Sequence, residues 1–430
     1  MYDLALVNGD VYFDNSFHKC NIYIKDGLIK RITPLHLKAE EEYDCLDSLV
    51  LPGIIDPHVH FQLDLGNISS RDDFQYGSRA AAFGGVTTII DFISPASNKE
   101  ELEENFYKRL EEASNSSIDY KLHACLKNPK GNVDEITSRM KELGMNTVKI
   151  FTTYSESNRQ TFDAEIRELL IQSKEKDFLV TAHIEEDSLI NNMFTFKYYD
   201  LPKSRPSKSE TIGALKMAKL VEETGGNLYM VHLSSGQTLK KLKARYPDII
   251  NKNFIIESCP HYFVFSDNVL RQKDGYLYTC APPLRPKSEV KLLRSLVNDV
   301  AVIGTDHCSF NSKDKNKKYL KDTPLGLGGI EHSFNVMYSL FGERIINKMT
   351  LNPAKIHKLY PQKGVIAEGS DADIFIYKLK EQKITKDHGF TDYDIYRGLK
   401  VKGEVVSTIL RGKFIVRNGL FKNNKGQNLN

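Results

Sequence analysis

Short apolar and β-branched runs, broken by turn dipeptides, mark both ends of the chain. Leu4–Val7, Val11–Phe13, Asn21–Ile24 and Leu28–Ile32 are separated by Asn8-Gly9 and Asp26-Gly27, pairs that favour tight hairpin turns. Ala372–Tyr377, Val405–Leu410 and Lys413–Val416, followed by Asn418-Gly419, repeat the pattern at the other end. Chain termini often lie close in space. Residues 1–51 and 358–430 are therefore expected to build one small β-sandwich together.

The middle of the chain alternates. Apolar runs end at Val59-His60, Val86–Phe92, Leu122–Leu126, Val148–Phe151, Phe178–His183, Leu228–Leu233, Phe254–Cys259 and Val300–Asp306. Helix-compatible stretches lie between them, among them Lys99–Ala113, Asp163–Lys174, Ser209–Thr224 and Lys287–Val297. Strand runs alternating with helices imply parallel βα units, and eight units predict a distorted (β/α)8 barrel over 52–357. The segment Asn311–Asp322 carries Lys313, Lys315, Lys317, Lys318 and Lys321. Charge runs are usually solvated, so it is expected to be a surface loop.

Composition narrows the class. The 430 residues leave room for a large domain and a small one. A net charge of +3 is too small for a nucleic-acid footprint, and no apolar stretch approaches the length of a membrane helix. The first residues lack a basic segment followed by an apolar one, so no secretory signal is expected. Six cysteines without a CxxC pair predict reduced thiols and a cytoplasmic location.

Candidate chemistry gathers at the strand ends. His58 and His60 flank Val59, and residues two apart on a strand face the same side, so both imidazoles can reach one ion. His183 ends one apolar run, His232 nearly ends another and Asp306 ends the last. Alone, each histidine is more often structural. Together they lie at the C-terminal strand ends where barrel active sites are built, and they point to a metal centre. His and Asp suit Zn²⁺, with Mn²⁺ or Co²⁺ as alternatives. Lys149 points into the same mouth. It could snorkel to the surface. As an ammonium it would repel dications, whereas carboxylated by CO2 it becomes an anion long enough to bridge two of them.

With these residues in place, the chain resembles the cyclic amidohydrolases of the dihydropyrimidinase and hydantoinase family. The matching pieces are Asp56-Pro57-His58-Val59-His60, Asp72-Asp73-Phe74 with Ala80–Gly85, Val148-Lys149-Ile150-Phe151 and Val231-His232-Leu233-Ser234-Ser235. Further along come Cys280-Ala281-Pro282-Pro283-Leu284-Arg285, Gly304-Thr305-Asp306-His307-Cys308, Asn352-Pro353-Ala354-Lys355 and Gly364–Asp373. The similarity runs from about residue 1 to 421.

The resemblance implies two divalent ions. His58, His60, Lys149 and Asp306 would hold one, and N6-carboxylated Lys149, His183 and His232 the other. It implies hydrolysis of a cyclic amide, a dihydropyrimidine or a hydantoin, to an N-carbamoyl amino acid. Tyr154 would stabilise the oxyanion and Asp306 would move the proton. Dihydroorotases and allantoinases usually lack that tyrosine. Backbone groups near Ala281 and Leu325 would hold the ring amides, where the family commonly has Ser and Asn. Loops 62–70 and 152–161 would gate the substrate's exocyclic group, with Leu63 and Leu65 on an apolar side and Thr152 and Arg159 on a polar one. His261 and Cys308 are read as structural. A homotetramer is implied by resemblance alone. Three alternatives stay open: an allantoinase-like or other cyclic amidase, a one-metal deaminase on the same barrel, and a non-catalytic assembly protein. The last is opposed by the fact that every ligand position is filled.

Overall fold

The computed structural model describes residues 1–129 and 131–430. At its centre lie eight parallel strands: β1 (Ile54–Val59), β2 (Val86–Phe92), β3 (Asp119–Cys125), β4 (Thr147–Phe151), β5 (Leu179–His183), β6 (Leu228–Met230), β7 (Phe254–Ser258) and β8 (Val302–Ile303). They pair in chain order. The two edges meet where Val59 bridges His307 and the His60 N–H donates to the His307 carbonyl at 2.8 Å. The sheet thus closes into the expected barrel. Its strands are buried almost throughout, because crossover helices cover the outer face, and this is why each reads as a continuous apolar run.

The helices follow their sequence signals. Lys99–Ala113 begins where the Asn98 side chain accepts the Glu101 N–H at 2.8 Å, a side-chain cap of the helix start. Ser207–Thr224 ends at Gly225, whose φ of 67° needs no Cβ. Strands β6 and β8 are shorter than the apolar runs that predict them. His232 and Asp306 adopt left-handed backbone, φ 41° and 53°, which carries the chain out of the ladder just where the polar side chains appear. Such conformations cost on the order of 1–3 kcal/mol for a non-glycine residue and cluster at functional sites.

Both chain ends form the remaining sheets. One has four strands, from Tyr2–Val7, Asn21–Lys25, Leu28–Thr33 and Ala39–Asp44; the other has seven, joining 10–19 and Ser48–Pro52 to strands between Ile374 and Phe421. Ser48–Pro52 pairs antiparallel with Ile374–Lys378. Leu4, Ile22, Val50, Ile374 and Ile409 share one core, so neither end can bury its apolar face alone. Ala39–Asp44 was not foreseen. Its Glu-rich sequence carries little β signal, and it is a strand because Tyr2–Val7 offers it a parallel ladder.

The lysine-rich segment departs from its expectation: it holds the short helix Ser312–Lys315 and a 3-10 turn over Leu320–Asp322, and one of its lysines turns inward. Lys313, Lys317, Lys318 and Lys321 are exposed, but Lys315 is fully buried. All six cysteines are free and buried. Among the described residues, no helix is long and apolar enough to cross a membrane.

Candidate metal centre

The closed barrel brings β1 beside β8. His58 Nε2 and His60 Nε2 lie 3.2 Å and 3.1 Å from Asp306 Oδ1, and one donor atom from each of the three lies within 4.8 Å of the others. The aromatic rings continue as a row across the mouth. Centroid separations are 5.1 Å from His60 to His58, 5.4 Å to His232, 4.6 Å on to His183 and 5.1 Å to Tyr154. Lys149 is buried on β4, its ammonium 5.1 Å from the Phe92 ring. Six of the residues singled out as ligands therefore converge from five strands.

Burial sets the charge states. It pushes the Lys149 amine down to about 8, with Asp306 and Glu257 opposing the shift. A larger neutral fraction is the form that can react with CO2. Burial lowers His60, takes His183 down to about 4 and carries His232 well below the usual imidazole range. Neutral imidazole is the ligating form. For Asp306, burial favours the acid, but His58, His60 and His232 outweigh it and hold the carboxyl well below its ordinary range.

Behind these groups stand three carboxylates to which the sequence assigned no role. Glu257 on β7 accepts the His58 Nδ1–H at 2.8 Å, the backbone N–H of His232 at 2.9 Å and the Tyr229 hydroxyl at 2.8 Å. Glu185 accepts the His183 Nε2–H at 2.7 Å and is itself paired with Arg205. Asp56 ties β1 to the end of β8 through the Thr305 N–H at 3.1 Å and its hydroxyl at 2.5 Å. The available signal was a lone acid inside an apolar run, Phe-Ile-Ile-Glu-Ser for Glu257.

These acids fix which ring nitrogens remain free. With Nδ1 committed to Glu257, His58 presents Nε2, which is buried and, among the described residues, has no hydrogen-bond partner; the same holds for His232 Nδ1. Unpaired buried nitrogens are costly. Beside a carboxylate and neutral imidazoles they form a donor set that fits divalent ions.

The mouth is asymmetric. Tyr154 stands in left-handed backbone, φ 71°, and its ring is flanked by the guanidinium carbons of Arg159 at 4.5 Å and Arg205 at 4.8 Å. Arg159 is half-buried, so it lies on Tyr154 instead of extending into solvent. The Thr152 hydroxyl is consumed by backbone, donating to the Glu185 carbonyl at 2.9 Å and accepting its N–H at 3.0 Å. The polar side expected from Thr152 and Arg159 thus reduces to Arg159. Leu63 is half-buried and Leu65 is 44% exposed, leaving that wall open. Ala281 and Leu325 occupy separate loops joined by the Gly326 N–H to the Thr279 carbonyl at 3.1 Å. His261 and Cys308 are buried.

Barrel, ring row and donor set together fit a hydrolase of the amidohydrolase class, and the sequence comparison agrees: residues 49–415 match the amidohydrolase family, and the chain belongs to it. It is 31% identical over 458 aligned positions to a D-hydantoinase of Geobacillus stearothermophilus, covering 97% of this chain and 94% of that protein. It is 30% identical to a D-phenylhydantoinase of Escherichia coli O9:H4 (strain HS), covering 99% and 96%. A crystal structure of D-hydantoinase superposes with a TM-score of 0.93 at 29% identity over 100% of this chain and 98% of the other. The dihydropyrimidinase from Brevibacillus agri NCHU1002 gives 0.91 at 26%, with the same coverage.

Proposed function

We propose that the chain is a cyclic amidohydrolase that opens a dihydropyrimidine or hydantoin ring to the N-carbamoyl amino acid. The observation that carries this reading is the row His60, His58, His232, His183 and Tyr154 beside Asp306 and buried Lys149. The names of its relatives support the same chemistry. The catalytic unit is the barrel, 52–357; the sandwich, 1–51 with 358–430, supports it.

His58, His60, Lys149 and Asp306 would hold one divalent ion, and Lys149, His183 and His232 the second. Zn²⁺ suits the set, with Mn²⁺ or Co²⁺ as alternatives, and Lys149 would be N6-carboxylated by CO2. When bound, the ions supply Lewis acidity toward water and the amide carbonyl. The chain's own groups do the rest. Tyr154, whose phenol burial pushes upward, stays protonated and donates to the developing oxyanion. Asp306 takes the proton of the attacking water and returns it to the leaving ring nitrogen. Backbone groups around Ala281 and Leu325 hold the ring amides, and Leu63, Leu65 and Arg159 surround the exocyclic group. The free cysteines are consistent with a cytoplasmic enzyme, and a homotetramer rests on family resemblance.

A panel of dihydrouracil, dihydrothymine, hydantoin, 5-substituted hydantoins and allantoin, assayed with metal-loaded enzyme, tests the reading. Ring opening of a dihydropyrimidine or hydantoin, faster than that of allantoin, is expected. Allantoin as the best substrate would favour the allantoinase-like alternative. No turnover at full metal content would favour the assembly-protein alternative.

A further inference from the structure

Two loops from different barrel strands meet at the mouth. The loop after β7 carries Thr279 and Ala281; the loop after β8 carries Leu325 and Gly326. Besides the Gly326 N–H to the Thr279 carbonyl, the Thr279 hydroxyl, whose nearer acceptor is the Tyr276 carbonyl at 3.0 Å, lies 3.3 Å from the Pro324 carbonyl. The second loop also pairs with the chain just past Asp306, the Cys308 N–H donating to the Leu327 carbonyl at 2.8 Å. On that side it has no slack: a Cβ on Gly326 would stand 2.6 Å from the Cys308 carbonyl oxygen.

Lys315 reaches this junction from the short helix Ser312–Lys315. Its side chain is fully buried, and its ammonium donates to the Thr279 carbonyl at 2.9 Å and the Gly326 carbonyl at 2.6 Å. Among the described residues it has no carboxylate partner. Burial pushes the amine down to about 7, the sign of a cation held at a cost. A buried amine bonded to two carbonyls on facing loops neutralises no charge. It fixes the spacing between the loops.

We propose that Lys315 is a positioning residue for ring recognition, a clasp that holds the backbone around Ala281 and around Leu325 at the separation the cyclic substrate requires. This rests on the reading that those two backbone segments bind the ring amides. Thr279 is two residues from Ala281, and Gly326 adjoins Leu325, so the clasp acts on those segments directly. It touches none of the candidate metal ligands. Its loss should weaken ring binding and spare the chemical step.

The test uses Lys315→Met, which keeps an apolar stem without donors, and Lys315→Gln, which keeps an N–H donor on a shorter stem. For the parent's best cyclic substrate, Lys315→Met is expected to raise KM about tenfold or more with kcat within about threefold. Metal content should be unchanged, and Lys315→Gln should recover part of the loss. The Gly326 amide should exchange with solvent faster in Lys315→Met. An unchanged KM with unchanged Gly326 exchange would overturn the proposal, and so would a joint fall in kcat and metal content. If Lys315→Met does not fold, Lys315→Gln carries the same comparison against the parent. Should the parent open no cyclic amide, the functional reading fails on its own, and Gly326 exchange still decides whether the clasp exists.

Discussion

Glu257 on β7 accepts a hydrogen bond from His58 on β1 at 2.8 Å, with both side chains buried. The same carboxylate holds the backbone of His232. One acid therefore orients candidate ligands assigned to two different ions. Groups that orient ligands in this way typically contribute about 10–100-fold to metal affinity. Glu257→Gln should lose affinity in that range, read by competition with a chelator, while the fold persists. An affinity within about twofold of the parent would show that His58 needs no such support.

Asp306 is expected to act as both ligand and proton carrier. Asp306→Asn keeps an oxygen donor but cannot shuttle a proton. It should retain most of its metal and lose at least about 10²-fold in turnover. Turnover within a few-fold of the parent would remove the shuttle role.

Arg159 predicts substrate choice. Its guanidinium lies 4.5 Å from the Tyr154 ring, at the mouth where an exocyclic group would sit, and its planar fork suits a carboxylate. Hydantoin-5-acetate should have a higher kcat/KM than 5-phenylhydantoin in the parent, and Arg159→Phe should reverse the order. A parent preference for the phenyl compound, or no change on substitution, would refute the assignment.

Much of this was legible in the sequence, for a physical reason. A barrel strand buried on both faces reads as an unbroken apolar run, so a polar residue closing it stands out. That is how His183, His232 and Asp306 were found. Glu257 and Glu185 were harder, since an acid near the end of such a run announces no partner until the fold supplies one. Lys315 was hidden by its neighbours. Composition says that a lysine-rich segment is solvated, but not which lysine turns inward. Ala39–Asp44 was missed because its strand character comes from a partner far away in sequence.

Stability should carry a pH signature at His332, away from the metal centre. Its Nε2 lies 3.3 Å from Asp394 Oδ2. Burial alone would lower this imidazole, but Asp394 and Glu331 outweigh it and raise it from 6.5 to about 8. The folded state therefore binds the proton more tightly than the unfolded one. The resulting stabilisation is complete below about pH 6.5 and is lost as pH rises through about 8. Compared with His332→Gln, the parent should hold an advantage of up to about 2 kcal/mol at pH 6 that is largely gone by pH 9. Denaturant unfolding of both proteins across that range checks it; an advantage that grows with pH would contradict the sign.

The proposed pair of ions sharing a carboxylated Lys149 is open to direct observation. It is tested most directly by diffraction from crystals of the metal-loaded, active enzyme, recorded at the absorption edge of the bound metal. Two ion peaks are expected in each barrel mouth, with density running on from Lys149 Nζ as a carboxylate between them. A single ion, or two ions beside an unextended lysine in enzyme that turns over its substrate, would contradict it.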